Sequence, residues 1–300
     1  MLRAAASPSL MSAFAALGRR SGLSRRFIAG EDLDRTIEVV RDLESGGLRT
    51  TLDLLGEHTV HPGESERAAE AYCGLLQGIR SRNVGSTISI KLTQLGLDIS
   101  PELCHRNLRK ILEQADRSGN FVRIDMEDSS HTEATIGLFR RGFEEFGPQR
   151  VGIVIQAYLF RSEQDVRQLS QLGCNIRLCK GAYMEPADVA FPRKQDVDRN
   201  FCKLVDVLLD SPAFAAVATH DDRMIDHTLA GLERRGLGRD RLEFQMLFGV
   251  RREKQTDLQA QGFGMRVYVP FGTQWAPYFM RRLAERPANL LFIVRHLFRR

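Results

Sequence analysis

The residues best equipped for chemistry stand near the end of the chain, in the octet Tyr278-Phe279-Met280-Arg281-Arg282-Leu283-Ala284-Glu285. At 3.6 residues per helical turn, Tyr278, Arg281, Arg282 and Glu285 share one face, while Phe279, Met280 and Leu283 mostly look elsewhere. Two adjacent guanidiniums beside a phenol and a carboxylate form a receptor for a small anion, because each guanidinium offers a planar fork of donors that a neighbouring acid can hold still. Taken alone the octet also reads as a solvated helix face. Its weight comes from a second set of polar residues, Lys91, Asp125, Gln156, Arg177, Lys180, His220 and Gln245, each closing an apolar stretch.

Those stretches belong to a regular alternation. After Gly30 the pattern predicts helices over 31–45, 64–80, 101–117, 131–146, 162–172, 198–210, 222–235, 253–261 and 275–285. It predicts strands over 50–55, 84–91, 121–127, 151–158, 175–180, 214–220, 242–248 and 265–269. A last apolar helix covers 288–299. Eight strands, each followed by a helix, predict a distorted (β/α)8 TIM barrel. A doubly wound open sheet would want a glycine fingerprint after a strand, whereas Gly262-Phe263-Gly264 precedes one. No linker divides the chain, so the expected organisation is an N-terminal helical extension over 1–48 and a barrel over 49–300, ending in a C-terminal helix.

A barrel carries its site at the C-terminal ends of its strands. Those ends read Glu57, Lys91, Asp125 with Glu127 and Asp128, Gln156, Arg177 with Lys180, His220 and Gln245. The two-residue period of a strand groups Thr87, Ser89 and Lys91, then Arg123, Asp125 and Glu127, then Val154, Gln156 and Tyr158, then Arg177 and Cys179. These sets are expected to face the lumen and the β-branched sets the helices. The mouth then holds Lys91, Arg177, Lys180, Arg281 and Arg282 against Asp125, Glu127, Glu285 and Glu57. Such a ring suits an anionic substrate, an anionic cofactor, or both.

Composition sets wider bounds. The 43% apolar fraction is ample for a core, and the net charge of +5 comes without a basic-aromatic block, which argues against nucleic acid as partner. Five cysteines without a CxxC pair suit free thiols in a reducing compartment. Cys179 reads as core, and His58 with His61 as a solvated loop. Three chemistries stay level on the residues alone. Lys91 or Lys180 offers a Schiff base. Asp125, Glu127, His131 and His220 offer a divalent-metal site. Lys180-Gly181-Ala182-Tyr183 offers a cation, backbone donors and a ring to the phosphates and conjugated system of a redox cofactor.

The octet YFMRRLAE resembles the YxxRRxxE signature of proline dehydrogenases. The resemblance extends to TLDLLGE at 51–57, STISIKLTQLG at 86–96, RIDMED at 123–128, VIQAY at 154–158, IRLCKGAYMEP at 176–186, ATHD at 218–221 and EFQMLFG at 243–249. It is closer to the monofunctional than to the fused bifunctional form. It implies a barrel that holds noncovalent FAD at its mouth and oxidises L-proline to Δ1-pyrroline-5-carboxylate, the first step of proline degradation to glutamate, with no metal. By the same resemblance Asp125 and Arg177 are catalytic, and Lys91, Tyr268, Tyr278, Arg281 and Arg282 hold the substrate. Met126, Gln156, Arg177, Lys180, Gly181, Ala182, Tyr183, Thr219, His220, Gln245 and Glu285 touch FAD, and Glu57 with Arg281 forms a gate. Two departures, Met184 in place of the tryptophan frequent in bifunctional members and a short connection from strand eight to Tyr278, bear on the adenine pocket and the lid.

The implied electron acceptor is a quinone, which places a cytoplasmic protein peripherally on the inner membrane. Residues 1–30 hold five arginines and no acid, the composition of a mitochondrial transit peptide, although the run into Arg25-Arg26-Phe27-Ile28 without a processing boundary favours a plain helix. In the last segment Leu291, Val294, Leu297 and Phe298 share a helical face beside terminal arginines, which suits an anionic lipid surface. The blander reading is a helix packed on the barrel. Deleting residues 290–300 separates the two. A surface helix predicts an FAD-loaded protein that keeps dye-linked activity and loses liposome binding and membrane-quinone activity, whereas unfolding or loss of FAD would mark a packed helix.

Overall fold

A computed structural model of the chain describes residues 27–275 and 278. Arg281, Arg282 and Glu285, the C-terminal helix 288–299 and residues 1–26 of the N-terminal extension lie outside the described residues. The elements run in the order α1 (Leu33–Ser45), β1 (Arg49–Leu54), α2 (Pro62–Ser81), β2 (Thr87–Ile90), α3 (Pro101–Ser118), β3 (Val122–Ile124), α4 (Thr132–Phe146) and β4 (Val151–Gln156). They continue with α5 (Ser162–Ser170), β5 (Asn175–Cys179), α6 (Lys194–Leu209), β6 (Phe214–Ala218), α7 (Asp222–Arg235), β7 (Leu242–Leu247), α8 (Arg252–Ala260) and β8 (Gly264–Phe271). All eight strands are parallel and close into a barrel in sequence order, with Thr51 of β1 facing Thr87 of β2 on one side and Tyr268 of β8 on the other.

Local signals explain the helix ends. The Ser100 hydroxyl accepts from the Leu103 amide and Pro101 opens α3, while Gly119, at φ +66°, stops it in the left-handed conformation that a residue without Cβ enters freely. Among the described residues the expected strands and the helices from 31–45 to 253–261 all form, with shifted ends, whereas the helix expected over 275–285 falls almost wholly outside them. The helix expected at 198–210 starts at Lys194, and the strands expected over 84–91 and 121–127 keep ladder pairing only over Thr87–Ile90 and Val122–Ile124. Phase cannot be carried past such short strands. Glu127, expected in the lumen, turns sideways to accept from the Thr93 amide at 3.0 Å and the Thr93 hydroxyl at 2.5 Å. Tyr158 likewise leaves β4 and donates to Glu185 at 3.2 Å.

The core has two shells. Leu52, Ile88, Ile90, Val122, Ile124, Ile153, Ile155, Ile176, Leu178 and Val217 are buried in one apolar cluster with helix residues such as Tyr72, Leu76, Leu108 and Phe201. The lumen is polar instead, and Asp53, Ser89, Arg123, Arg177, Glu243 and Gln245 are all buried there. Outside the barrel, the entry segment is stitched to its last strand: the Ala29 amide donates to the Pro270 carbonyl at 3.0 Å and the Gly272 amide to the Gly30 carbonyl at 2.9 Å.

Arg123 crosses the lower lumen to the Asn175 carbonyl at 2.6 Å, the Asn175 side chain at 2.5 Å and the Ile153 carbonyl at 3.1 Å. Burial and the nearby Arg177 cation push it down to about 9. It has room only because residue 152 is glycine. A Cβ there would lie 2.6 Å from the Arg123 Nη1 and the Asn175 carbonyl and 2.7 Å from the Phe121 ring. Gly152→Ala is therefore expected to destabilise the barrel by about 1–3 kcal/mol, as overpacking does, and to lower the midpoint of a thermal melt. An unchanged melt would show that the lower lumen yields at no cost.

Candidate active site

Lys91, just beyond β2, is only 6% exposed, and its ammonium donates to both carboxylate oxygens of Asp53 on β1, at 3.0 and 3.2 Å. Burial alone would lower its pKa, but the carboxylates of Asp53 and Asp125 outweigh that and hold it above the usual lysine range. Held in that ion pair, Lys91 is better suited to act as a cation than as the nucleophile of a Schiff base. Arg177 on β5 is fixed at three points. Its Nε donates to the Gln245 Oε1 at 2.5 Å, Nη1 to the Asp125 Oδ1 at 2.8 Å and Nη2 to the Ser89 hydroxyl at 3.1 Å.

Tyr268 on β8 completes this arrangement. The Arg177 guanidinium carbon stands 5.2 Å from the centroid of its ring, and its hydroxyl donates to the Asp125 Oδ2 at 2.8 Å. Burial, then the Asp125 and Asp53 carboxylates, hold that phenol well above its ordinary pKa, so it remains a donor. Both oxygens of Asp125 thus accept a bond, and Arg177, Asp125 and Tyr268 form a closed ring of contacts on the cavity floor.

Nearer the rim, the Gln156 amide donates to the Met126 and Glu127 carbonyls at 3.2 and 2.6 Å, tying the chain after β3 to β4. Lys180, past β5, donates to Asp198 and to Asp221, the latter at 2.8 Å. Burial would raise the Asp221 pKa, but the hydrogen bond and charge of Lys180 outweigh it and hold that carboxyl well below the usual range. The His220 Nε2 accepts from the Leu247 amide at 3.0 Å, and the Thr219 hydroxyl accepts from the Asp221 amide at 3.1 Å. Gly181 sits at φ +112°, and a Cβ on it would fall 2.3 Å from the Tyr158 ring. Only glycine lets Lys180 through Tyr183 turn along this wall.

These groups line one cavity of about 650 Å³ at the C-terminal ends of the strands, within the range of small-molecule and cofactor sites. Lys91, Asp125, Met126, Gln156, Arg177, Lys180 through Tyr183, Thr219, His220, Gln245, Tyr268 and Tyr278 all reach it. Tyr278 is 6% exposed. Glu57 is half-buried in the β1–α2 loop and is absent from the lining, although its charge is felt at Lys91.

Two expectations need correction. Cys179, read as core, lines the cavity and is only half-buried. The cation-rich mouth is more balanced than its sequence suggests, since Asp53, Asp198 and Asp221 answer Lys91 and Lys180. Asp53 stands out in hindsight as a lone acid inside the apolar run of β1, on the same phase as Thr51, whereas the pairing of Asp198 with Lys180 leaves no local trace. The four residues weighed for a metal go separate ways: Asp125 to Arg177 and Tyr268, Glu127 to Thr93, His131 to Asp98 and Asp128, and His220 to the Leu247 amide.

Comparison with known proteins adds the family. The family model described as proline dehydrogenase matches residues 36–295. Proline dehydrogenase 1 of Bacillus subtilis (strain 168) is 43% identical over 285 residues, covering 95% of this chain and 93% of the relative. The proline dehydrogenase of Deinococcus radiodurans is 41% identical over 275 residues, covering 91% and 89%. Among solved structures, proline utilization A of Bdellovibrio bacteriovorus, inactivated by N-propargylglycine, superposes with a TM-score of 0.83 at 26% identity, over 87% of this chain and 32% of that one. Proline utilization A of Corynebacterium freiburgense gives 0.79 at 25% identity, over 95% and 34%. The chain thus spans about a third of those larger proteins. With the family model over most of its length and relatives this similar from end to end, the chain is an enzyme of the proline dehydrogenase family.

Proposed function

We propose that the protein oxidises L-proline to Δ1-pyrroline-5-carboxylate with FAD as immediate electron acceptor and a quinone as second substrate. The observation that carries this reading is the cavity in which the Arg177, Asp125 and Tyr268 contacts form the floor and Lys91 stands beside them, in a chain whose relatives are named proline dehydrogenases.

The residues fit a flavin nucleotide. Met126, Val154, Ala218, Met246 and Leu247 give apolar wall for a fused ring system, and Lys180, Lys194 and the Gly181–Tyr183 backbone give donors for phosphates. Gln156, Thr219, His220 and Gln245 join the same lining, with Glu285 assigned to FAD from outside the described residues. FAD, when bound, supplies a two-electron acceptor for hydride.

The chain's own groups do the rest. Lys91, Arg281 and Arg282 grip the substrate carboxylate and Tyr278 covers the ring, so that binding energy orients the reacting carbon. Hydride leaves C5 of the neutral amine with both bonding electrons, the nitrogen lone pair forms the C=N bond, and the nitrogen proton is then released. Asp125 keeps a lone pair on each oxygen beyond those already used, enough to accept the substrate N–H. Arg177 is a fixed cation that favours negative charge arriving beside it. Glu57 and Arg281 close the entrance as a gate. Among the described residues no helix is long and apolar enough to cross a membrane.

Two measurements test the reading. Anaerobic mixing with L-proline, without acceptor, is expected to bleach the visible flavin absorbance of the purified protein. A flavin left oxidised would overturn the proposed reaction, and a colourless protein trapped by borohydride on its substrate would point to an aldolase. Arg281→Met or Arg282→Met is expected to raise the KM for proline by about two orders of magnitude, the worth of a charge-assisted carboxylate bond of about 3 kcal/mol. Equal kinetics on proline and on pyrrolidine, which lacks the carboxylate, would remove the assignment.

A further inference from the structure

The carboxamide of Gln245 lies between two neighbours that both fix which end points where: the Arg177 Nε–H above, which can only donate, and a second neighbour below, which can only accept. That neighbour is Glu243, two residues back on β7, pointing into the same lumen but lower, 2% exposed and absent from the cavity lining. Its Oε1 accepts from the Gln245 Nε2 at 2.6 Å and from the Arg266 Nε at 2.8 Å, and its Oε2 from the Arg266 Nη2 at 3.2 Å and the Arg49 Nη1 at 3.4 Å. Burial alone would raise its pKa, but Arg266 and, at longer range, Arg123 outweigh it and keep the carboxyl ionised.

An ionised carboxylate has no proton to give. Gln245 must therefore aim its NH2 group downward, which leaves only its oxygen for the Arg177 Nε–H. If the residue below could donate as well as accept, the carboxamide would be held in this orientation from the Arg177 side alone, since the turned form sets its NH2 group against the Arg177 Nε–H donor to donor. One of the three anchors of the guanidinium would be loosened while those to Asp125 and Ser89 stay.

We propose that Glu243, itself held by Arg266, is a positioning residue for Arg177, steadying the guanidinium by locking the Gln245 carboxamide from below in the orientation that Arg177 requires. What Arg177 does in catalysis rests on the function proposed above, whereas the orientation of its side chain does not.

Glu243→Gln in the flavin-loaded protein is the test, being nearly isosteric, uncharged and able to donate. The Arg177 Nε–H resonance, assigned by its absence in Arg177→Lys, is expected to shift and to exchange with solvent deuterium about tenfold faster, in line with coupling energies between residues of one buried network. The rate of flavin reduction by proline should fall about tenfold with a change of no more than about twofold in KM, since the carboxylate grips are untouched. The midpoint potential of the bound flavin should fall too, about 30 mV for each tenfold change in a two-electron equilibrium. Glu243→Asp, which restores an obligate acceptor, should recover most of each effect. An Arg177 resonance, reduction rate and potential all unchanged in Glu243→Gln, with only a lower melting point, would overturn the proposal and leave Glu243 a stabilising residue. Should that variant not fold, Arg266→Lys loosens Glu243 without changing any charge; a smaller shift of the same resonance supports the proposal, and an unmoved one refutes it. A wild-type flavin that proline does not reduce would defeat the proposed activity, while the resonance comparison would still decide the role of Glu243.

Discussion

Charge buried inside a closed barrel has nowhere to go, and the rest of this structure is arranged around that constraint. Removing an ion from water costs several kcal/mol even after relaxation, so each ion in the lumen needs a partner at contact distance. The partners come in tiers. Lys91 with Asp53 and Arg177 with Asp125 stand at the cavity, and Arg266 with Glu243 stands below. Among the described residues Arg123 has no carboxylate at contact distance and uses carbonyls and an asparagine instead, so burial and the Arg177 charge lower its pKa. Because each tier draws on two or more strands, the ion pairs and the barrel fix one another.

The same pairing that stabilises the lumen preorganises the site. A guanidinium held at three points and stacked on a phenol does not reorganise when charge arrives, which is where electrostatic stabilisation of a reaction gains most of its strength. The arrangement also divides labour among similar groups. Lys91 keeps its proton and acts as a cation, Tyr268 keeps its proton and acts as a donor, and Asp125 links the guanidinium to the phenol. At the rim, Asp198 and Asp221 temper Lys180, so a diphosphate would meet a network whose acids already share the charge.

The sequence revealed the architecture because periodicity is a local property. Strand and helix alternation, the Ser100-Pro101 start and the Gly119 stop predicted the eight repeats, and the strand ends pointed to the residues that line the cavity. What it concealed depends on distance in the chain. The pairings of Lys91 with Asp53 and of Lys180 with Asp198 and Asp221 arise only when separate strands and helices meet. Phase also misled where strands end early: counting by twos beyond Ile124 put Glu127 in the lumen, whereas the chain had left the ladder and turned that carboxylate to Thr93. Cys179 lies at a strand's last residue, packed against the core on one side and lining the cavity on the other.

The stitching of Ala29 and Gly30 to Pro270 and Gly272, beside the pairing of β1 with β8, has a consequence for how the molecule is made. The barrel's first strand receives its second neighbour only after β8, seven strands later, has been made. Until then β1 has one hydrogen-bonding edge open, the condition in which parallel sheets are slow to form and prone to join the wrong partner. Closure of the ring requires β8, and so does the lowest tier of buried charge. Lys91 finds Asp53 between adjacent early strands, but Glu243 waits for Arg266 on the strand that seals the ring.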